Sequence, residues 1–232
     1  MAKRERIFEI DALRGICIFG MIGVHFWMNY CDFFMQSKYP AFLQFFFDWG
    51  GVIFVLLSGL AVTLGHHPVK RGLIVLAAGL CCTAVTVAMD VLSFGITPIW
   101  FGVLHCLGVC MLLSPLFEKL PSWLLALLGL VLIGLGFWVD TLRVEVPYLF
   151  PLGLITKQFA SGDFFPLLPH LGWFMVGMST GVTFYKEKKT LLPQINPRVF
   201  PLRFLCFCGR HTLWIYLAHQ PILYVIFYCI SL

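Results

Sequence analysis

Apolar stretches of about 20 residues follow one another from residue 8 to the end of the chain, and a helix of that length crosses about 30 Å of hydrocarbon. No water reaches the peptide groups inside a bilayer, so each stretch has to satisfy its own N–H and C=O groups. The fold class that follows is all-α, a polytopic bundle of membrane helices. Composition agrees, since 60 % of the 232 residues are hydrophobic and only 12 % are charged, about half the usual share for a soluble globular domain.

Seven spans are expected, at roughly 8 to 29, 44 to 65, 72 to 90, 98 to 117, 121 to 139, 163 to 184 and 209 to 231. They form one integral-membrane domain over 1–232, with no fixed-period repeat or low-complexity tract. The first is not expected to be a cleaved signal peptide: it is too long for a signal h-region and contains Asp11 and Arg14. The stretch "VPYLFPLGLITKQF", residues 146 to 159, has two prolines in fourteen residues and reads as an outer loop or re-entrant segment, not an eighth crossing. The polar connection "KEKKTLLPQINPRVFPLR", residues 186 to 203, with "FLCFC" after it, reads as an interfacial segment on the inner surface.

Orientation follows from basic residues in the connections, because cytoplasmic loops retain positive charge. With the N-terminus inside, one side receives Lys3, Arg4, Arg6, Lys70, Arg71, Lys119, Lys186, Lys188, Lys189, Arg198, Arg203 and Arg210, which is 12 residues. The other side receives 3: Lys38, Arg143 and Lys157. The N-terminus is therefore expected in the cytoplasm, the chain being a multi-pass protein of a cell membrane with the lipid bilayer as a partner. The net charge of +5 describes this topology and calls for no nucleic acid.

Nine cysteines make no disulfide framework here. Six of them, Cys17, Cys81, Cys82, Cys106, Cys110 and Cys229, fall in spans as small apolar fillers, and Cys206 and Cys208 lie on the reducing side. Cys106 and Cys110 share a helix face at i, i+4, but no second ligand pair accompanies them. No helix carries a His-x-x-x-His or carboxylate-plus-His pair either, so no metal is expected.

Ionisable residues at membrane depth mark function by default. Arg14 begins the first span near its cytoplasmic edge, and His25 stands eleven residues on, about 16 Å deeper and three turns away on the same face. Asp11 can pair with Arg14, so a plain interfacial anchor explains that pair but leaves His25 unexplained. Asp48, at the outer end of the second span, comes to the depth of His25 if the first two spans form a hairpin. A carboxylate beside an imidazole raises its basicity, as a general base requires. His105, His170 and His219 each sit in a further span, where a lone histidine is as readily a packing residue as a catalyst. Asp163 leads into the sixth span ahead of Pro166 and Pro169, which distort its first turns. Arg210 stands at the inner mouth of the last span, where the positive-inside rule accounts for it as well as an anionic ligand does, and Gln220 follows His219.

The runs "IDALRGICIFGMIGVH", "FDWGGVIFVLLSGL", "WFGVLHCLGV", "DFFPLLPHLGWFMVG" and "CGRHTLWIYLAHQPIL" carry a resemblance over nearly the whole chain. In this order they resemble the bacterial branch of the heparan-alpha-glucosaminide N-acetyltransferase catalytic-domain family. That family is similar in turn to the membrane acyltransferases that decorate bacterial surface sugars, in which an Arg and a His separated by ten residues on the first helix form a signature that Arg14 and His25 fit. The resemblance implies that acetyl-CoA is offered from the cytoplasm and that its acetyl group reaches an extracytoplasmic carbohydrate acceptor. It places Arg14 at the CoA end and His25 in the catalytic role. One departure is that the lysosomal branch has its histidine in the loop before the second span, near Lys38 here, where this chain has none.

The mechanism expected on this basis uses His25 as base, steered by Asp48. Arg14 and Arg210 hold the CoA phosphates, with Lys70 or Arg71 as further candidates. His105, His219 or Gln220 are the candidate donors to the oxyanion, and Asp163 and His170 orient the acceptor. An acetyl-imidazole on His25 is a variant of the same scheme. A solute or proton-coupled transporter is the alternative from another class, though no internal symmetry supports it, and an assembly subunit held together by its polar residues is a third. The sequence leaves homo-oligomerisation open.

Overall fold

In the computed structural model the described residues are 7–35 and 40–231, without the side chains of Leu43, Phe47 and Asp48. The charges counted at Lys3, Arg4, Arg6 and Lys38, and the expected Asp48 carboxylate, lie outside this set. The described chain is helical, with isolated bridges as its only extended pairing.

Helix α1 runs over Phe8–Tyr30 and continues as one π-turn over Cys31–Met35, and α2 spans Ala41–Leu64. Next come α3 (Pro68–Val91), α4 (Val103–Phe117) and α5 (Ser122–Asp140), a short 3-10 helix at Pro147–Leu152, then α6 (Leu167–Phe184), α7 (Leu202–Arg210) and α8 (Thr212–Ser231). Five stretches are long and apolar enough to cross a membrane: Phe8–Met35, Gln44–Leu64, and the helices α3, α5 and α8. They correspond to five of the seven expected spans. The stretch at 98–117 holds α4, a shorter apolar helix of 15 residues, and that at 163–184 holds α6. Pro166 caps α6 and Leu168 is extended at φ −100°, ψ 123°, so the prolines do deform its entry. Residues 146–159 make a short 3-10 helix and a loop, not a crossing.

Two compact units partition the chain, one of residues up to Phe54 together with Glu187 onward, the other Val55–Lys186. In the first unit, α1 packs on α7 and α8. A Cβ on Gly15 would strike the Leu205 carbonyl, and one on Gly209 would strike the Asp11 carbonyl, so α1 and α7 touch backbone to backbone. The segment expected along the inner surface thus ends in an amphipathic helix seated on the first half of α1. Farther along, Phe227 of α8 lies against Phe26, Phe33 and Phe34, at ring distances of 5.1 to 6.1 Å.

Glycine contacts also join the helices of the second unit. Gly59 of α2 lies against the Phe174 backbone, and Gly177 of α6 against the Leu56 carbonyl. Gly129 of α5 and Gly172 of α6 meet each other's backbone. Small residues matter because lipid is as apolar as leucine, and helices gain by close approach instead. Outward, Leu80 and Val85 on α3 and Leu130 and Val131 on α5 are more than half exposed, as a lipid-facing surface requires.

Two glycines of α5 provide a test. A Cβ at Gly129 would lie 2.8 Å from the Gly172 carbonyl, whereas one at Gly134 meets nothing within 4 Å. Gly129→Val is expected to destabilise the detergent-purified protein by about 1–3 kcal/mol, read as a lower thermal midpoint. Gly134→Val, with the same change in helix propensity, should leave that midpoint nearly unmoved.

Candidate active site

Arg14 and His25 both lie on the continuous α1, so the eleven residues between them keep the expected separation of about 16 Å along one face. Both are half-buried. The His25 ring is turned by its own helix, with Nδ1 3.0 Å from the Met21 carbonyl. A carbonyl only accepts, so Nδ1 carries the proton and Nε2 keeps a lone pair in the neutral ring.

His219 of α8 faces it, the ring centroids 5.0 Å apart and the planes at 61°. Its Nδ1 donates to the Tyr216 carbonyl, which again leaves the lone pair on Nε2. Next to this pair, Gln220 Nε2 donates to Asn29 Oδ1 at 3.4 Å. Asn29 lies four residues beyond His25, one turn along the same helix face. Asn29 Nδ2 and His219 Nε2 are buried with no hydrogen-bond partner among the described residues. Leaving such a group unsatisfied costs about 1–3 kcal/mol, so the described residues give no internal reason for these two polar atoms.

Charges gather at the opposite end of α1. Glu9, 8 % exposed, accepts from Thr190 Oγ1 at 2.9 Å and from the Leu191 amide at 2.7 Å, which fastens residues 190–191 to α1. Arg210 is exposed and closes α7, where it suits the negative end of the helix dipole. It follows Gly209, whose Cα lies against the Asp11 carbonyl, so Arg210 and Arg14 belong to the same end of this unit. Burial pushes the Cys206 thiol up, Asp11 adds to this, and Arg210 pulls it down.

His105, Asp163 and His170 come together in the second unit, around the starts of α4 and α6. Asp163 Oδ2 accepts from the Val103 amide at 3.0 Å, which satisfies one of the orphan amides that begin α4. His105, 3 % exposed, accepts from the Gly102 amide at Nδ1, 3.2 Å. Its proton is therefore on Nε2, which donates to Thr83 Oγ1 at 3.2 Å, and that hydroxyl donates to the Ile99 carbonyl at 2.6 Å. Both ring nitrogens are thus committed, and the ring fills the space over Gly79 of α3. His170 Nδ1 donates to the Pro166 carbonyl at 2.7 Å, and its ring packs on Phe165 at 4.8 Å. Cys106 and Cys110 lie 4.0 Å apart on α4, and among the described residues no three His, Cys, Asp or Glu side chains gather as a metal site.

Sequence reasoning did not single out Asn29, Glu9 or Thr83. Asn29 had a legible signal, its i, i+4 spacing from His25. Thr83 and Glu9 had none, because their partners lie 22 and about 180 residues away.

A family model described as "Heparan-alpha-glucosaminide N-acetyltransferase, catalytic" matches residues 6–221, a range that takes in every site residue named above. No curated protein and no solved structure matches the chain.

The His105 chain of bonds gives a direct test. Thr83→Val keeps the side-chain shape but leaves His105 Nε2–H without its acceptor, and should destabilise the protein by about 1–3 kcal/mol. Thermal unfolding measures this, and an unchanged midpoint would show that the bond does not hold α3 to α4.

Proposed function

The chain belongs to the heparan-alpha-glucosaminide N-acetyltransferase catalytic family, a family of transmembrane acetyltransferases, and from that premise we propose that it moves an acetyl group from cytoplasmic acetyl-CoA to a hydroxyl or amine of an extracytoplasmic sugar or glycoconjugate. The observation that carries this reading is one face of α1. It presents a guanidinium at one end and, about 16 Å on, an imidazole whose Nδ1 donates to the Met21 carbonyl, which puts the lone pair of the neutral ring on Nε2.

Arg14 and Arg210 bind the CoA phosphates in this reading, since guanidinium groups suit phosphate oxygens in pairs. His25 Nε2 takes the proton of the acceptor O–H or N–H as the acceptor lone pair attacks the thioester carbon. The carbonyl electron pair moves to oxygen, returns when the C–S bond breaks, and CoA leaves as a thiolate that takes the proton from the imidazolium. Help of this kind from a positioned base is worth about 10² to 10⁴ in rate. Asp48 is the proposed partner of His25, and His219 is its neighbour in the pair. His105, Asp163 and His170 enter as groups that hold the starts of α4 and α6, with acceptor orientation as the further role proposed for the last two. The positive-inside count supports the proposed orientation, with the N-terminus and the donor on the cytoplasmic side.

Binding of CoA and acetyl-CoA to the purified protein in nanodiscs tests the scheme. Wild type should bind both, and Arg14→Ala should bind them at least tenfold more weakly. His25→Ala should bind them normally and release CoA about 10² to 10⁴ times more slowly in the presence of a monosaccharide mixture. If no form binds CoA, the acetyl donor assignment falls. If His25→Ala turns over normally, the base lies elsewhere.

A further inference from the structure

Asn29 Nδ2 and His219 Nε2 are buried without a partner among the described residues, on neighbouring helices, and their residues are 7 % and 8 % exposed. Glu9, equally buried in this unit, is by contrast engaged by two donors. Gln220 holds the Asn29 amide by its oxygen, which assigns the hydrogens to the Nδ2 end. That end is therefore oriented by the protein and left with hydrogens to give.

The two orphan atoms are of opposite kinds. With Nδ1 of each ring donating to a backbone carbonyl, His25 and His219 both offer lone pairs at Nε2. Neither neutral imidazole can stabilise negative charge that develops on a carbonyl oxygen. A site built only from these two rings would hold a base and lack an electrophile. Asn29 Nδ2 is a donor, it stands one turn from His25 on the same face of α1, and its hydrogens are neither lost nor consumed when protons move between base and substrate.

The geometry points to Asn29 as the donor that holds the oxyanion of the tetrahedral intermediate, a role that rests on the acetyl-transfer reading of His25. As the acceptor attacks, the carbonyl electron pair moves to oxygen and Nδ2–H bonds to it; the pair returns to carbon as the C–S bond breaks and CoA departs. Such a donor is effective because it is already oriented and desolvated, so little has to rearrange as charge appears. Gln220 is the positioning residue behind it. The donors expected for that bond are His105, His219 or Gln220; in this proposal Asn29 makes it, while His105 gives its Nε2–H to Thr83, His219 presents a lone pair and Gln220 gives one amide hydrogen to Asn29.

The test uses the full chain in nanodiscs with two probes, CoA and S-(3,3,3-trifluoroacetonyl)-CoA, whose hydrate carries a tetrahedral carbon near the place of the thioester. Wild type is expected to bind the analogue about 10² times more tightly than CoA. Asn29→Ala and the isosteric Asn29→Asp should bind CoA as wild type does and lose most of that margin, in line with the 10²- to 10³-fold effect of removing one such donor. If both variants keep the margin, or wild type has none, the oxyanion role is overturned while the acetyl-CoA reading stands on CoA binding. Equal loss of CoA and analogue binding in both variants, with a lower thermal midpoint, overturns it in favour of packing. If wild type binds neither probe, the acetyl-CoA reading itself fails and this role goes with it.

Discussion

A bilayer offers hydrogen-bonding groups nothing to bond to, and most of this structure is a response to that fact. The described chain is helical because a helix satisfies its own backbone. Several hydroxyls inside the helices follow the same rule by bonding back to carbonyls a turn earlier, as Thr86 does to Cys82, Ser114 to Met111, Thr180 to Val176 and Thr183 to Ser179. Helices cannot be driven together by burying leucine where lipid serves as well. Glycine therefore sets the contacts, at Gly15 and Gly209 in one unit and at Gly59, Gly129, Gly172 and Gly177 in the other.

The same constraint sorts the polar residues into two kinds. Around α4 and α6 the polar side chains complete the backbone: Asp163 caps α4, His105 links Gly102 to Thr83, and Thr83 and Thr86 bond the carbonyl and the amide of Ile99. These groups satisfy the backbone of an irregular entry. Between α1 and α8 the order is different. There the two histidines turn their protons to their own helices, and a buried amide donor and a buried lone pair face away from any described partner. Structural need explains the first set. The second set is what the proposed acetyl transfer uses.

Much of the helix pattern was legible because hydropathy reports burial in lipid without reference to neighbours. The span expected at 121 to 139 is α5 at 122–140, and that at 8 to 29 is α1 at 8–30. Boundaries failed where tertiary bonds compete with the helix. Residues 98 to 102 are apolar enough to extend α4, yet threonines of α3 hold Ile99, and Phe101 pairs with the 161–165 segment, so the helix starts at Val103. Helix α7 escaped notice as a packing element because nine residues make a weak periodic signal, and its seat on α1 depends on Gly15, nearly two hundred residues earlier.

The sequence by itself determined the all-helical membrane class, the family, and the face of α1 that carries Arg14 and His25, because length, hydropathy and helical period are local properties. It did not separate His105 from His219, two histidines that look alike in their apolar helices. Only the tertiary structure decided that one is saturated and the other keeps a ring nitrogen with no hydrogen bond among the described residues. A hydrogen bond across helices depends on residues 22 to 191 positions apart meeting at about 3 Å, and no local pattern encodes such a meeting.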